Sequence, residues 1–161
     1  MSLRRIVNAS PLIHLAKAGQ LDLLRLGDVD VFTPDIVIAE IGAKGSNDPT
    51  AVAIKQSSWI TVVPAPAIPE PVRVSKLDAG ESAVLALAHG NSNCEVVLDD
   101  LAARRCAARL RIPCSGTLGL VLAARRLSII AEARPLVERL RQVGLYLDGE
   151  FVDEVLRRIG E

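Results

Sequence analysis

The chain is poor in aromatic residues, with one Trp, one Tyr and two Phe among its 161 residues. So small a set argues against a stacking platform as the main way of holding single-stranded nucleic acid. Cysteine is scarce as well. Cys94, Cys106 and Cys114 are odd in number and widely spaced, which fits neither a disulfide framework nor a thiolate zinc site. They point to a reducing compartment, and the cytoplasm is the natural one. No apolar run approaches the roughly 20 residues needed to span a bilayer, so no membrane is expected. Arg4 and Arg5 are followed by an apolar stretch too short and interrupted for a signal peptide, and Met1-Ser2-Leu3 reads as a leader without structural weight. Net charge is zero, which by itself argues against a general nucleic-acid binder. No phosphate-cradling G-x-x-x-x-G-K-[ST] loop, G-x-G-x-x-G turn or G-x-S-x-G elbow is present. His14 and His89 lack metal-ligand spacing and read as plain helix residues.

What is present is a large apolar fraction, half of all residues, enough for one domain over residues 1–161 with a proper core. Short apolar strands alternate with longer helical stretches, the pattern of a parallel sheet covered on both faces. Strands are expected at Arg4–Val7, Val29–Thr33, Trp59–Val63, Glu95–Leu98 and Ile112–Cys114. Ser10-Pro11 reads as the cap and first turn of a helix running to Gly19. Helices are also expected from Pro34 to Gly42, Asp48–Ser58, Asp78–His89, 101–110 and 117–127. Residues 64–76 carry four prolines and read as an extended loop. Two amphipathic helices, about 134–143 and 149–159, would pack on the domain; the second carries an apolar stripe of Phe151, Val152, Val155, Leu156 and Ile159. The stripe reads as packing surface, with a homodimer or partner interface as the alternative.

Charge is unevenly distributed. Between Leu101 and Arg141 nine arginines, Arg104 and Arg105 among them, face only Glu132 and Glu138, and lysine is absent. Such a patch can steer a polyanion, or it can be a set of solvated helix faces whose stems cover apolar surface.

Acidic groups gather where an open parallel sheet binds ligands, at the carboxyl ends of its strands. The first strand ends in Asn8-Ala9-Ser10 and the fourth in Leu98-Asp99-Asp100. Helices near the same rim bring Glu40 and Glu81. Such oxygen ligands suit a hard cation, Mg2+ or Mn2+, able to clamp a phosphodiester. Each residue also has a structural alternative. Asp99 or Asp100 would cap helix 101–110, Asp78 and Glu81 would form a capping pair, and Glu40 would be an exposed helical carboxylate. Ser115-Gly116-Thr117 opens a helix whose N–H groups either bind an RNA phosphate or make an ordinary turn.

The order Ile6-Val7-Asn8-Ala9-Ser10-Pro11, then Pro34-Asp35-Ile36-Val37-Ile38-Ala39-Glu40, then Leu77-Asp78-Ala79-Gly80-Glu81, then Val97-Leu98-Asp99-Asp100 resembles a PIN domain. Cys114-Ser115-Gly116-Thr117-Leu118-Gly119 is similar to a loop in one prokaryotic branch of that superfamily. The resemblance implies a three-layer α/β/α sandwich and a metal-dependent ribonuclease, in many relatives a toxin restrained by a partner antitoxin protein. On it, Asn8, Glu40, Glu81 and Asp99 carry catalysis, while Glu81, Asp99, Asp100 and Asn8 hold the metal. Ser10, Arg104, Arg105, Ser115 and Thr117 meet the RNA. PIN nucleases usually have aspartate where this chain has Asn8, so the site loses one negative charge. The alternative is therefore a module that binds RNA or a protein without cleaving. A phospho-acceptor receiver domain, suggested by Asp99-Asp100, would need an acidic pair after the first strand, which Asn8-Ala9 does not supply.

Overall fold

Five strands form one parallel sheet in the order β3-β2-β1-β4-β5. They are β1 (Leu3–Val7), β2 (Val29–Pro34), β3 (Ile60–Val63), β4 (Cys94–Val97) and β5 (Cys114–Ser115). These come from a computed structural model that describes residues 2–161; Met1 lies outside the described residues. Helices flank the sheet, giving the expected three-layer α/β/α sandwich. In chain order they are α1 (Ala9–Lys17), α2 (Asp35–Gly42), α3 (Pro49–Gln56), α4 (Glu70–Arg73), α5 (Ala79–Ala88), α6 (Leu101–Arg109), α7 (Thr117–Arg126), α8 (Arg134–Gln142) and α9 (Gly149–Arg158), with a 3₁₀ turn at Leu21–Arg25 after α1.

The central strands read as nearly continuous apolar runs because both faces are covered. Val7, Val96, Val97 and Leu98 are fully buried. β1 carries two exceptions, Arg4, which is exposed, and Arg5, which is buried. The Arg5 guanidinium pairs with Glu95 of neighbouring β4 and donates to the Leu24 and Leu26 carbonyls, so a buried charge is both paired and hydrogen-bonded. At the chain's far end, Val137, Leu140, Val152 and Leu156 bury the inner faces of α8 and α9, and Arg139 donates to the Ala18 carbonyl beyond α1. Among the described residues, no helix is long and apolar enough to cross a membrane.

Several local expectations need correction. Leu3 begins β1, opposite Val29, and the Ser2 hydroxyl donates to Asp30, so these two leader residues do carry structure. Ser10 does not cap α1. The helix starts two residues earlier, at Ala9, with Asn8 at the cap position, which frees the Ser10 hydroxyl for a distant partner. The proline-rich stretch is not wholly extended; Glu70-Pro71 opens the single turn of α4, whose Val72 is fully buried. The last strand is shifted to Cys114–Ser115 because Ile112 still follows the end of α6, its N–H donating to the Ala107 carbonyl.

Strand order fixes where a ligand can sit. From β1 the chain proceeds outward through β2 to β3, then returns to place β4 on the other side of β1. The crevice between the carboxyl ends of β1 and β4 is thus the switch point of the sheet. Val7 pairs with Val97 there, and Asn8 and Asp99 are the next polar residues on each strand.

Candidate functional site

Asn8 leaves β1 in extended conformation and takes the cap position of α1. An asparagine there ordinarily accepts a hydrogen bond from the helix's first turn. This one makes no capping bond, and its Oδ1 is buried without a partner among the described residues. Leaving a buried acceptor unpaired costs about 1–3 kcal/mol, so the position suits a ligand that would satisfy it.

Across the crevice, Asp99 is held by three donors. Thr117 N–H reaches Oδ1 at 2.7 Å, while the Thr117 and Ser10 hydroxyls reach Oδ2 at 2.8 and 2.9 Å. The carboxylate thereby ties the start of α7 to the first turn of α1. Thr117 is fully buried and both its donors go to Asp99, so it positions the aspartate. Gly116 makes this approach possible. A Cβ there would lie 2.9 Å from Arg104 Nη1 and 3.1 Å from Asp99 Oδ1. Ser115 is half-buried at the end of β5. Sequence reasoning passed over His14. Its Nδ1 lies 3.1 Å from the Ser10 hydroxyl, and since that hydroxyl's one proton goes to Asp99, His14 must be the donor of the pair. Burial lowers the His14 pKa, and Asp99 partly offsets that. The i, i+4 spacing of Ser10 and His14 was the available signal.

The remaining acids gather at the start of α5. Asp78 and Glu81 form a capping box, Asp78 accepting from Glu81 N–H at 2.8 Å and Glu81 Oε2 from Asp78 N–H at 3.3 Å. Glu40, from α2, accepts from Gly80 N–H, and a Cβ on Gly80 would come within 2.8 Å of its Oε1. Asp100 caps α6 through Ala103 N–H at 3.0 Å, as its structural reading anticipated. Yet these acids still share one field. Burial first, then the charges of Asp78, Asp100 and Glu40, push the Glu81 pKa up to about 7. Glu40 is exposed, as its structural reading anticipated, and partial desolvation followed by the charge of Asp78 raises its pKa too.

The raised Glu81 pKa has a consequence for stability. The protonated carboxyl favours the folded state, a contribution complete below the ordinary value of 4.5 and lost as pH rises through about 7. In chelator, stability should fall by up to about 3 kcal/mol across that window, from about 1.4 kcal/mol per pKa unit. Glu81→Gln keeps an acceptor for Asp78 N–H and carries no charge, so it should flatten the fall. Thermal melts with chelator at about pH 5 and about pH 8 compare the two proteins. Equal falls would show that Glu81 is not the group concerned.

Among the described residues, no three or more His, Cys, Asp and Glu side chains stand close enough to hold a metal ion by themselves. That is compatible with magnesium, which keeps several waters and usually takes one or two carboxylates with substrate phosphates. The orphaned Asn8 oxygen and the mutually repelling carboxylates around Glu81 are what a cation would relieve.

A family model for the PIN domain, DUF3368, matches residues 4–161. The chain belongs to the PIN-domain family. No curated protein matches it. The PIN domain is a nuclease-type fold, and its members typically bind nucleic acid and generally depend on divalent metal. In this PIN domain the crevice between β1 and β4 brings together Asn8, Ser10, Asp99, Arg104 and Thr117. Glu40, Glu81 and Asp100 form the second acidic group beside Asp78.

Proposed function

We propose that this PIN domain is a metal-dependent ribonuclease whose centre is the β1/β4 crevice. The observation that carries the reading is the buried, unpartnered Oδ1 of Asn8 at the end of β1, in a fold whose remaining acids repel one another. One or two of Glu81, Asp99 and Asp100 would hold Mg2+ or Mn2+ directly and the rest through water, with Asn8 adding a neutral oxygen. When bound, the ion would supply positive charge and an activated water beside the phosphodiester. Asp99 keeps one lone pair free on Oδ1, since three are engaged by Ser10 and Thr117. Ser10 and Thr117 orient Asp99. Glu40 lowers the local potential further and fixes the start of α5 through Gly80. A manganese-supplemented assay on single-stranded RNA, with Glu81→Gln beside it, tests the reading: cleavage by the first and background from the second are expected.

Asn8 itself favours a second reading, a module that binds RNA or a protein without cleaving, because an amide is a weaker ligand for a hard cation than a carboxylate. RNA binding without cleavage at saturating manganese would select it. A toxin role with an antitoxin partner, a homodimer and a cytoplasmic location belong to the same proposal; the first rests on the resemblance. The three free cysteines fit the last. A small neighbouring reading frame on the same transcript would support the toxin role.

The arginine segment divides under the same proposal. Arg109 is tied to Pro71 and Ser75, Arg125 to Glu161, Arg134 to Asp153 and Glu161, Arg139 to Ala18 and Arg141 to Glu138. Arg104 and Arg105 are exposed and have no such partner among the described residues. Replacing both with Gln should weaken RNA binding and reduce its salt slope by about 2, with little change in melting temperature. Unchanged binding and slope would remove these two from the RNA surface.

A further inference from the structure

A groove of about 240 Å³ opens directly from Asp99, Arg104 and Gly116. Its walls are apolar, from Leu118 on α7 to Val155 on α9, and the rings of Tyr146 and Phe151 stand at its side. Tyr146 is 88% exposed and Phe151 52%. Although aromatics are few in this sequence, two of the four lie here.

We propose that this groove is a nucleobase subsite, which receives the base of the nucleotide next to the phosphate at the β1/β4 crevice. It rests on the ribonuclease reading for its position but not for its test. Three observations favour a base over a protein segment. The groove is smaller than the roughly 300–1,000 Å³ of whole-ligand pockets, which suits a single flat group better than a helix. Its mouth carries an exposed arginine without an ion-pair partner among the described residues, complementary to a phosphate arriving with the base. And it is continuous with the crevice through Asp99, so a strand whose phosphate lies at the crevice has room there for a neighbouring nucleotide. Exposed Tyr and Phe rings pair with any base through their π faces, so the subsite selects stacking more than sequence.

The test uses single-stranded RNA hexamers, intact or with one abasic position scanned along the strand. Fluorescence anisotropy in chelator reads binding alone, and cleavage in manganese reads the centre. The unmodified protein should bind intact RNA roughly tenfold more tightly than the hexamer whose abasic position falls in the groove. Tyr146→Ala should lose most of that difference, Tyr146→Phe should keep it, and Tyr146→Ala with Phe151→Ala should abolish it. Because Tyr146 is exposed, its single variant should melt as the unmodified protein does. Loss of cleavage in Glu81→Gln with base discrimination retained would leave the subsite standing. RNA binding without any difference between intact and abasic strands overturns the subsite alone, and leaves the groove as a surface for a protein segment. No RNA binding by the unmodified protein overturns both the subsite and the RNA reading.

Discussion

Saturating manganese should raise the melting temperature of this PIN domain by roughly 5–10 °C, and Glu81→Gln should remove most of that rise. The argument begins with repulsion. Glu81 is buried at the start of α5, with Asp78, Asp100 and Glu40 all raising its pKa. A cation that binds the folded chain and not the unfolded one stabilises by about 2.7 kcal/mol at a free concentration 100-fold above Kd. For a domain of this size each kcal/mol is worth about 2–4 °C. The rise should grow from about pH 5 to about pH 8, because the ion competes with the proton that Glu81 holds up to about 7. Differential scanning fluorimetry across a manganese titration at both pH values measures it. A shift of the same size in Glu81→Gln would place the ion elsewhere, and no shift in either protein would remove the metal centre.

The fold was legible in the sequence because each central strand runs into an apolar stretch ended by a polar side chain. Val7-Asn8 and Leu98-Asp99 mark the rim without any knowledge of strand order. Strand order, which makes that rim a switch point, came only from the structure. The misplaced start of α1 has a physical cause. Ser-Pro is a strong local cap signal, but the Ser10 hydroxyl is drawn to Asp99, a partner 89 residues away that local patterning cannot reveal. The turn at α4 was missed because a four-residue helix has no periodicity to read. For the acids, the choice between structural and functional roles proved not to be exclusive. Asp78, Glu81 and Asp100 do cap helices, and the same carboxylates generate the field around Glu81. Gly80 and Gly116 were unreadable as site residues, since their role is to leave room for Glu40, Arg104 and Asp99.

Asn8→Asp should make the protein less stable in chelator, more responsive to metal, and faster at cleaving RNA. The substitution is nearly isosteric, so the start of α1 should keep its shape. What changes is one full charge at a residue only 7% exposed, whose oxygen has no hydrogen-bond donor among the described residues. An uncompensated buried charge costs roughly 3 kcal/mol, or about 10 °C in melting temperature for a domain of this size. Part of that cost will be avoided by protonation, so the loss should be larger at about pH 8 than at about pH 5. With manganese the sign reverses, because a carboxylate is the better ligand for a hard cation and its advantage grows as water is excluded. The melting rise on adding metal should therefore exceed that of the unmodified protein, and the metal concentration needed for half the rise should fall about tenfold or more. Cleavage should increase in the same metal range. Should affinity and melting follow this pattern while cleavage stays at background, the crevice holds metal and the non-cleaving module is the correct reading. An unchanged response to metal would show that the Asn8 oxygen does not face the ion, and the centre would then have to be rebuilt around Glu81 and Asp100 alone.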